Sequence, residues 1–198
     1  MDFRVTFWGV RGSTACPEPA FARYGGHTSC IGLEIGGRHV ILDAGTGLRG
    51  PDSVLPVDAD VDLLLTHCHF DHICGLPEFK KLFSPDFSCH VRAGHLPVGE
   101  SIESVMRDFI SPPHFPFELD KYPAAISFTD FVAGDSFTLG GDINVRTIPL
   151  NHTDGATGYR IDVGHKSRCI GVMAHQLAVF KVYRVHCANG FCRRRQFI

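Results

Sequence analysis

The first half of the chain reads as strands cut by glycine-rich turns. Phe3 to Trp8 alternates apolar and polar like a half-buried strand, and Gly9 to Thr14 reads as a loop. Ser29–Ile35 and Arg38–Leu42 predict a hairpin around Gly36-Gly37. Val61 to Leu65 is a short apolar run that predicts a buried strand. From Ile73 the period changes: Ile73, Leu76, Phe79, Leu82 and Phe83 recur at helical spacing, with Glu78, Lys80 and Lys81 on the other side. Glu100 to Ile110 predicts a second helix, whereas the prolines of Ser111–Pro123 exclude a regular one. Strand-like pieces follow at Ile126–Phe128, Ser136–Leu139, Ile143–Ile148 and Gly158–Val163, with a weaker one at Val179–Val185. Strands, then helices, then strands again predict sheet layers covered by helices, an α/β (α+β) fold.

Composition changes this picture at one place. The 198 residues suit one domain with a substantial core. A content of 44% hydrophobic and 20% charged residues is ordinary for a globular chain. No apolar run approaches a membrane span, and the start carries no signal-peptide pattern, so no membrane partner and a cytoplasmic location are expected. The eight cysteines show no C-x-x-C pair, which favours reduced thiols over a disulfide framework. From His165 to Ile198 there are seven Lys/Arg and no Asp or Glu, while residues 1–164 hold 12 basic and 21 acidic side chains. The chain therefore divides into a body, 1–164, and a basic tail, 165–198. A basic tail can address anionic partners. Three terminal arginines, Arg193 to Arg195, neutralise too few phosphates for a nucleic-acid footprint.

The chemistry concentrates in Thr66-His67-Cys68-His69-Phe70-Asp71-His72, which follows a predicted buried strand and precedes a predicted helix. In extended chain, side chains two apart share a face, so His67 and His69 can approach one ion together. Cys68, between them, then faces the core. Asp71 and His72 stand where the chain turns and can address a neighbouring position. Imidazole and carboxylate are the ligands that borderline divalent metals take. Asp43 ends the strand of His39–Leu42 as His67 follows that of Val61–Leu65, so neighbouring strands put Asp43 where it can orient a ligating imidazole. His152, in Leu150-Asn151-His152, follows a further strand and is the candidate third imidazole on the first metal.

These residues resemble the metallo-β-lactamase-fold hydrolase superfamily, whose hallmark is His-x-His-x-Asp-His. The likeness extends through Phe7-Trp8-Gly9-Val10-Arg11-Gly12-Ser13, Tyr24 to Cys30, Ile41 to Gly47 and Leu150-Asn151-His152, and it covers residues 1–163. In these segments the chain looks like the branch that includes cyclic phosphodiesterases, acting on cyclic nucleotides or phosphoribosyl cyclic phosphate. The resemblance implies a four-layer αββα sandwich, incomplete at its C-terminal end, with two divalent ions, zinc or manganese, at one sheet edge. By this likeness His67, His69 and His152 hold one ion, and Asp71 and His72 hold the other and are the catalytic pair. The substrate implied is a small or cyclic phosphodiester, hydrolysed by water that the ions activate. Loops at Gly12-Ser13 and Gly45-Thr46-Gly47 offer N–H groups to phosphate, with Ser13 and Thr46 as candidates.

The sequence also departs from the family pattern. His27 stands where the family has Asn, and Thr153-Asp154-Gly155 where it has Pro-Gly-Gly. The family also has a Thr-Asp later in the chain whose Asp bridges both metals, and this chain has no Asp or Glu after Asp162. His175 and His186 are the candidate substitutes. The acid-free tail reads as an altered reading of the original C-terminus or as unrelated sequence after a truncation. Three readings stay open: a phosphodiesterase, an impaired domain that binds one metal without turnover, and a hydrolase of a lactone, thioester or β-lactam. A homo-oligomer whose partner supplies a ligand is also open.

Overall fold

The computed structural model describes residues 3–163 and the backbone of Gly171–Val172. In chain order the strands are β1 (Phe3–Gly9), β2 (Cys30–Ile35), β3 (Arg38–Leu42), β4 (Asp60–Leu65), β5 (Ser88–Ala93), β6 (Ala125–Asp130), β7 (Ser136–Leu139), β8 (Ile143–Leu150), β9 (Ala156–Val163) and β10 (Gly171–Val172). The α-helices are α1 (Arg49–Val54), α2 (Phe70–Ile73) and α3 (Ile102–Phe109). Among the described residues β1 to β6 form one sheet in sequence order, and β10, β9, β8 and β7 form a second. The first sheet is antiparallel from β1 to β3 and parallel from β3 to β6.

Alternation along the strands divides the core in two. Val61, Leu63 and Leu65 of β4 point to the helical side, where they meet Ile73, Leu76, Phe79, Ile102 and Met106. Leu64 points the other way, into a layer between the sheets made with Ile31, Leu33, Val145, Tyr159 and Ile161. The buried apolar residues of α2 and α3, Ile73, Ile102 and Met106, belong to the first cluster, and the buried members of the inter-sheet layer lie on strands. The described residues thus supply helices, sheet and sheet of the αββα sandwich that the resemblance implies. The fourth layer implied by the resemblance lies outside them. So do His175, His186, the Val179–Val185 strand and the tail from 165, apart from β10, which pairs with β9.

Two expectations change. The helix expected from Ile73 to Phe83 is broken into two 3₁₀ turns, Leu76–Glu78 and Lys80–Phe83, joined through an extended Phe79. Pro77 has no N–H to give an α-helical ladder, and its ring crowds the preceding turn. The apolar periodicity survives because Leu76, Phe79 and Leu82 still face the core, while Phe83 is exposed. The second change is an added strand, β5, which pairs in parallel with β4 and with the edge strand β6.

The parallel strands explain where chemistry collects. Their carboxyl ends all open at one edge, and the loops leaving that edge carry Asp43 after β3, Thr66 and His67 after β4, and His95 after β5. Ligands bind outside the carboxyl ends of parallel strands in open α/β sheets, for this reason. The second sheet is stitched to the same edge. Tyr159 donates its hydroxyl to the Leu65 carbonyl at 2.6 Å, and the Thr157 N–H donates to the Thr66 carbonyl at 2.8 Å. Those bonds set His152, at the end of β8, against the loop after β4.

Candidate metal centre

Three ring nitrogens converge at this edge. His152 Nε2 lies 3.1 Å from His67 Nε2 and 3.3 Å from His69 Nδ1. Ligands about 2 Å from one ion in tetrahedral array stand roughly 3.3 Å apart, so this spacing fits three imidazoles on a single divalent ion. Among the described residues these three form the group whose ligand atoms all lie within 4.8 Å of one another.

A hydrogen bond on the far side of the His67 ring fixes which of its nitrogens is free. Thr66 donates its hydroxyl to Asp43 Oδ1 at 2.9 Å, so its oxygen can accept from His67 Nδ1–H at 3.0 Å. That leaves the His67 Nε2 lone pair directed at the cluster. Burial, followed by the positive charge on His72, pushes the His67 pKa down to about 3, so the ring is neutral as a metal ligand must be. His69 turns Nε2 toward Asp154, 3.5 Å away, and Nδ1 toward His152.

Asp71 and His72 stand beside this group in different surroundings. His72 Nδ1 donates to Asp43 Oδ2 at 2.8 Å, and His72 Nε2 lies 3.3 Å from Asp71 Oδ2. Asp71 Oδ2 also accepts from the Ser13 N–H at 2.6 Å. Burial opposes charge on His72, but Asp43 and then Asp71 outweigh it and raise its pKa to about 10. Asp71 is correspondingly lowered to about 2, its burial outweighed by the bond to His72. Two carboxylates thus hold positive charge at this position. His72 Nε2 and Asp71 Oδ2, side by side, are donors of the type a second cation takes.

Asp43 anchors both groups. It is fully buried and also accepts from Ser29 Oγ at 2.8 Å and the Thr66 N–H at 2.8 Å. Burial would raise its pKa, but the His72 charge and hydrogen bonds from His72 and Thr66 bring it below the ordinary carboxylate value. Its left-handed backbone, φ 61°, turns the chain sharply out of β3. The next turn packs against the motif: Ala44 N–H donates to the His72 carbonyl at 2.7 Å, and a Cβ on Gly45 would collide with the Asp71 carbonyl oxygen.

The remaining candidates fall as follows. The Ser13 N–H is given to Asp71. Thr46 exchanges bonds with Thr28, its Oγ1 accepting from the Thr28 N–H at 2.9 Å and its N–H donating to Thr28 Oγ1 at 2.8 Å. His27 Nδ1 lies 3.2 Å from that same Thr46 oxygen. Nearby, Phe115 packs on Phe117, and Phe109 meets Phe70 edge-on. Cys68 is half-buried against the helical core and also lines the cavity; burial raises its pKa to about 12, so it stays a thiol. The five described cysteines are all free. No described helix is long and apolar enough to cross a membrane.

The residue that sequence reasoning missed is His95. It lines a cavity of about 600 Å³ shared with His67 and His69, and its ring centroid lies 6.4 Å from that of His67. Burial, with the neighbouring Asp43 charge opposing, brings its pKa down to about 4. The available signal was the alternation Cys89, Val91, Ala93, which marks a strand and puts His95 at its carboxyl end.

Comparison with known proteins identifies the family and the fold. A family profile for the beta-lactamase superfamily domain matches residues 38–175, so the chain belongs to that family. Ribonuclease Z of Haloarcula marismortui is 27% identical over 167 residues, 82% of this chain and 48% of that protein. Ribonuclease Z of Clostridium tetani is 25% identical over 171 residues, covering 83% and 52%. The chain therefore spans about half the length of these relatives. Among solved structures, the metallo-beta-lactamase fold protein YhfI of Bacillus subtilis superposes with a TM-score of 0.61 at 16% identity, over 87% of this chain and 61% of that one. A diphosphatase of the PhnP family gives 0.60 at 19% identity, over 81% and 62%. Human tRNase Z, short form, gives 0.59 at 19%, over 88% and 70%. These likenesses show the metallo-β-lactamase fold.

Proposed function

We propose that the chain is a metal-dependent phosphodiester hydrolase acting on a small or cyclic diester. The observation that carries this reading is the convergence of His67 Nε2, His69 Nδ1 and His152 Nε2 beside an open cavity, with Asp71 and His72 alongside. His67, His69 and His152 would hold a divalent ion, which would supply Lewis acidity and lower the pKa of water bound to it. The protein's own part is orientation: Asp43 and Thr66 hold His67 in the tautomer that frees its lone pair, and the Asp154 carboxylate stands 3.5 Å from His69 Nε2. The relatives favour phosphorus as the centre attacked, since they are named ribonucleases and a diphosphatase. An excess of acidic side chains over residues 1–164, 21 against 12, argues for a small substrate over a polyanionic nucleic acid.

A second reading has its own observation: no Asp or Glu stands among residues 163–198, where the bridging carboxylate was expected. On that reading one ion binds and turnover is lost. The deciding experiment is hydrolysis of bis(4-nitrophenyl) phosphate by the full chain with added zinc or manganese, compared with a thioester and a cephalosporin. Metal-dependent release of nitrophenol, faster than either alternative, supports the phosphodiesterase. Bound metal without turnover of any of the three supports the impaired domain.

A further inference from the structure

The cavity beside the three imidazoles contains a polar group that the metal motif does not use. His95 leaves the carboxyl end of β5 as His67 leaves that of β4, and the two rings stand edge to face. His95 Nδ1 is sealed from solvent and has no hydrogen-bond partner, whereas the half-buried ring lines the cavity. A buried N–H without an acceptor carries a heavy desolvation cost, so the proton resides on Nε2, at the edge that can reach the cavity. The ring then presents a neutral donor next to the place where an ion on His67 and His69 would hold an ester oxygen.

The rest of the lining limits what enters. Leu96 and Val105 give it apolar surface, Glu100 and Asp154 are its carboxylates, and no Lys or Arg lines it among the described residues. A pocket of about 600 Å³ has the size of a small-molecule site. Without a cation it does not suit a second phosphate, and its apolar walls suit a carbon-rich group.

We propose that this cavity is the subsite for the uncharged organic group of the ester, and that His95 Nε2–H donates a hydrogen bond to a substrate oxygen there. This rests on the hydrolase reading of the neighbouring cluster. The side chain touches substrate and not the ion, so removing it weakens substrate binding while leaving metal content unchanged.

The test uses zinc-loaded full chain and two unhydrolysable anions of equal charge, diphenylphosphinate and dimethylphosphinate, titrated by calorimetry. Wild type should bind the diphenyl anion at least about tenfold tighter than the dimethyl one, since only the former fills an apolar subsite. His95→Phe removes the donor at similar volume and should weaken the diphenyl anion by about tenfold, whereas His95→Gln, which restores an N–H, should recover most of it. Zinc per chain should be the same in all three proteins. Equal affinity of wild type and His95→Phe, no preference for the diphenyl anion, no binding of either anion, or loss of zinc from His95→Phe overturns the proposal. If wild type binds as expected but leaves bis(4-nitrophenyl) phosphate intact, the phosphodiesterase reading fails and the subsite stands. If it hydrolyses the diester and His95→Phe matches it in binding, the subsite fails alone.

Discussion

His67 and His72 sit five positions apart in the same short segment, and their rings lie 4.1 Å apart. Their surroundings are nevertheless opposite. His67 leaves β4 in extended chain, gives one nitrogen to Thr66 and turns the other toward two more imidazoles. His72 sits on α2 with a carboxylate at each nitrogen, Asp43 and Asp71. One ring is held neutral and the other is held charged, their pKa values driven to about 3 and about 10. A single change of backbone direction, from strand to helix at His69–Phe70, separates a cluster of lone pairs from a cluster of charges. The first group can take a cation as it stands. The second already holds positive charge, and a cation would replace a proton there.

Both groups depend on Asp43, so the largest effect is expected there. Asp43→Ala leaves His72, Thr66 and Ser29 without their buried acceptor and should cost about 3–5 kcal/mol of stability, read as a fall in urea midpoint. A loss under 1 kcal/mol would mean the two groups are not held from one root. Next, His152→Ala should reduce zinc affinity by more than the 10–100-fold typical of an outer hydrogen-bond partner, because it removes a ligand. His72→Ala should leave the three-imidazole affinity within about tenfold of wild type. Competition with a chromogenic chelator measures both, and equal losses would erase the distinction between the groups.

Thr66 joins the groups, its hydroxyl lying 3.0 Å from His67 Nδ1 and 3.4 Å from His72 Nδ1. Thr66→Val keeps the shape and the N–H bond but removes the hydroxyl's bonds to Asp43 and His67, so it should cost about 1–3 kcal/mol and weaken zinc binding about tenfold. The smallest effect serves as a control. Ser101 caps α3, accepting from the Ser104 N–H at 3.2 Å, and Ser101→Ala should cost about 1 kcal/mol with zinc affinity unchanged.

The legible and illegible parts of this site differ for a physical reason. Thr66–His72 is contiguous, so its donors appear together on the page of residues, and a run of apolar residues announces β4 just before it. Asp43 is legible because β3 is a clear strand and an acid ends it. His152 is legible through the strand before it, though its distance from His67 is set by the bonds from Tyr159 and Thr157, which no local pattern displays. His95 is not legible, because β5 alternates Cys, Val and Ala with Ser, His and Arg. One face is small and apolar and the other is polar and partly buried, which weakens the apolar signal of an interior strand. The helix expected from Ile73 fails at Pro77, where the periodicity of the core face outlasts the α-helical hydrogen bonds that would normally produce it.

The most direct test of the account is zinc per chain after loading and dialysis, read by plasma mass spectrometry on wild type and His152→Ala. The account predicts at least one equivalent in wild type, falling well below one in the variant. No bound zinc in wild type, or the same content in both proteins, would contradict the three-imidazole centre and with it the metal-dependent hydrolase.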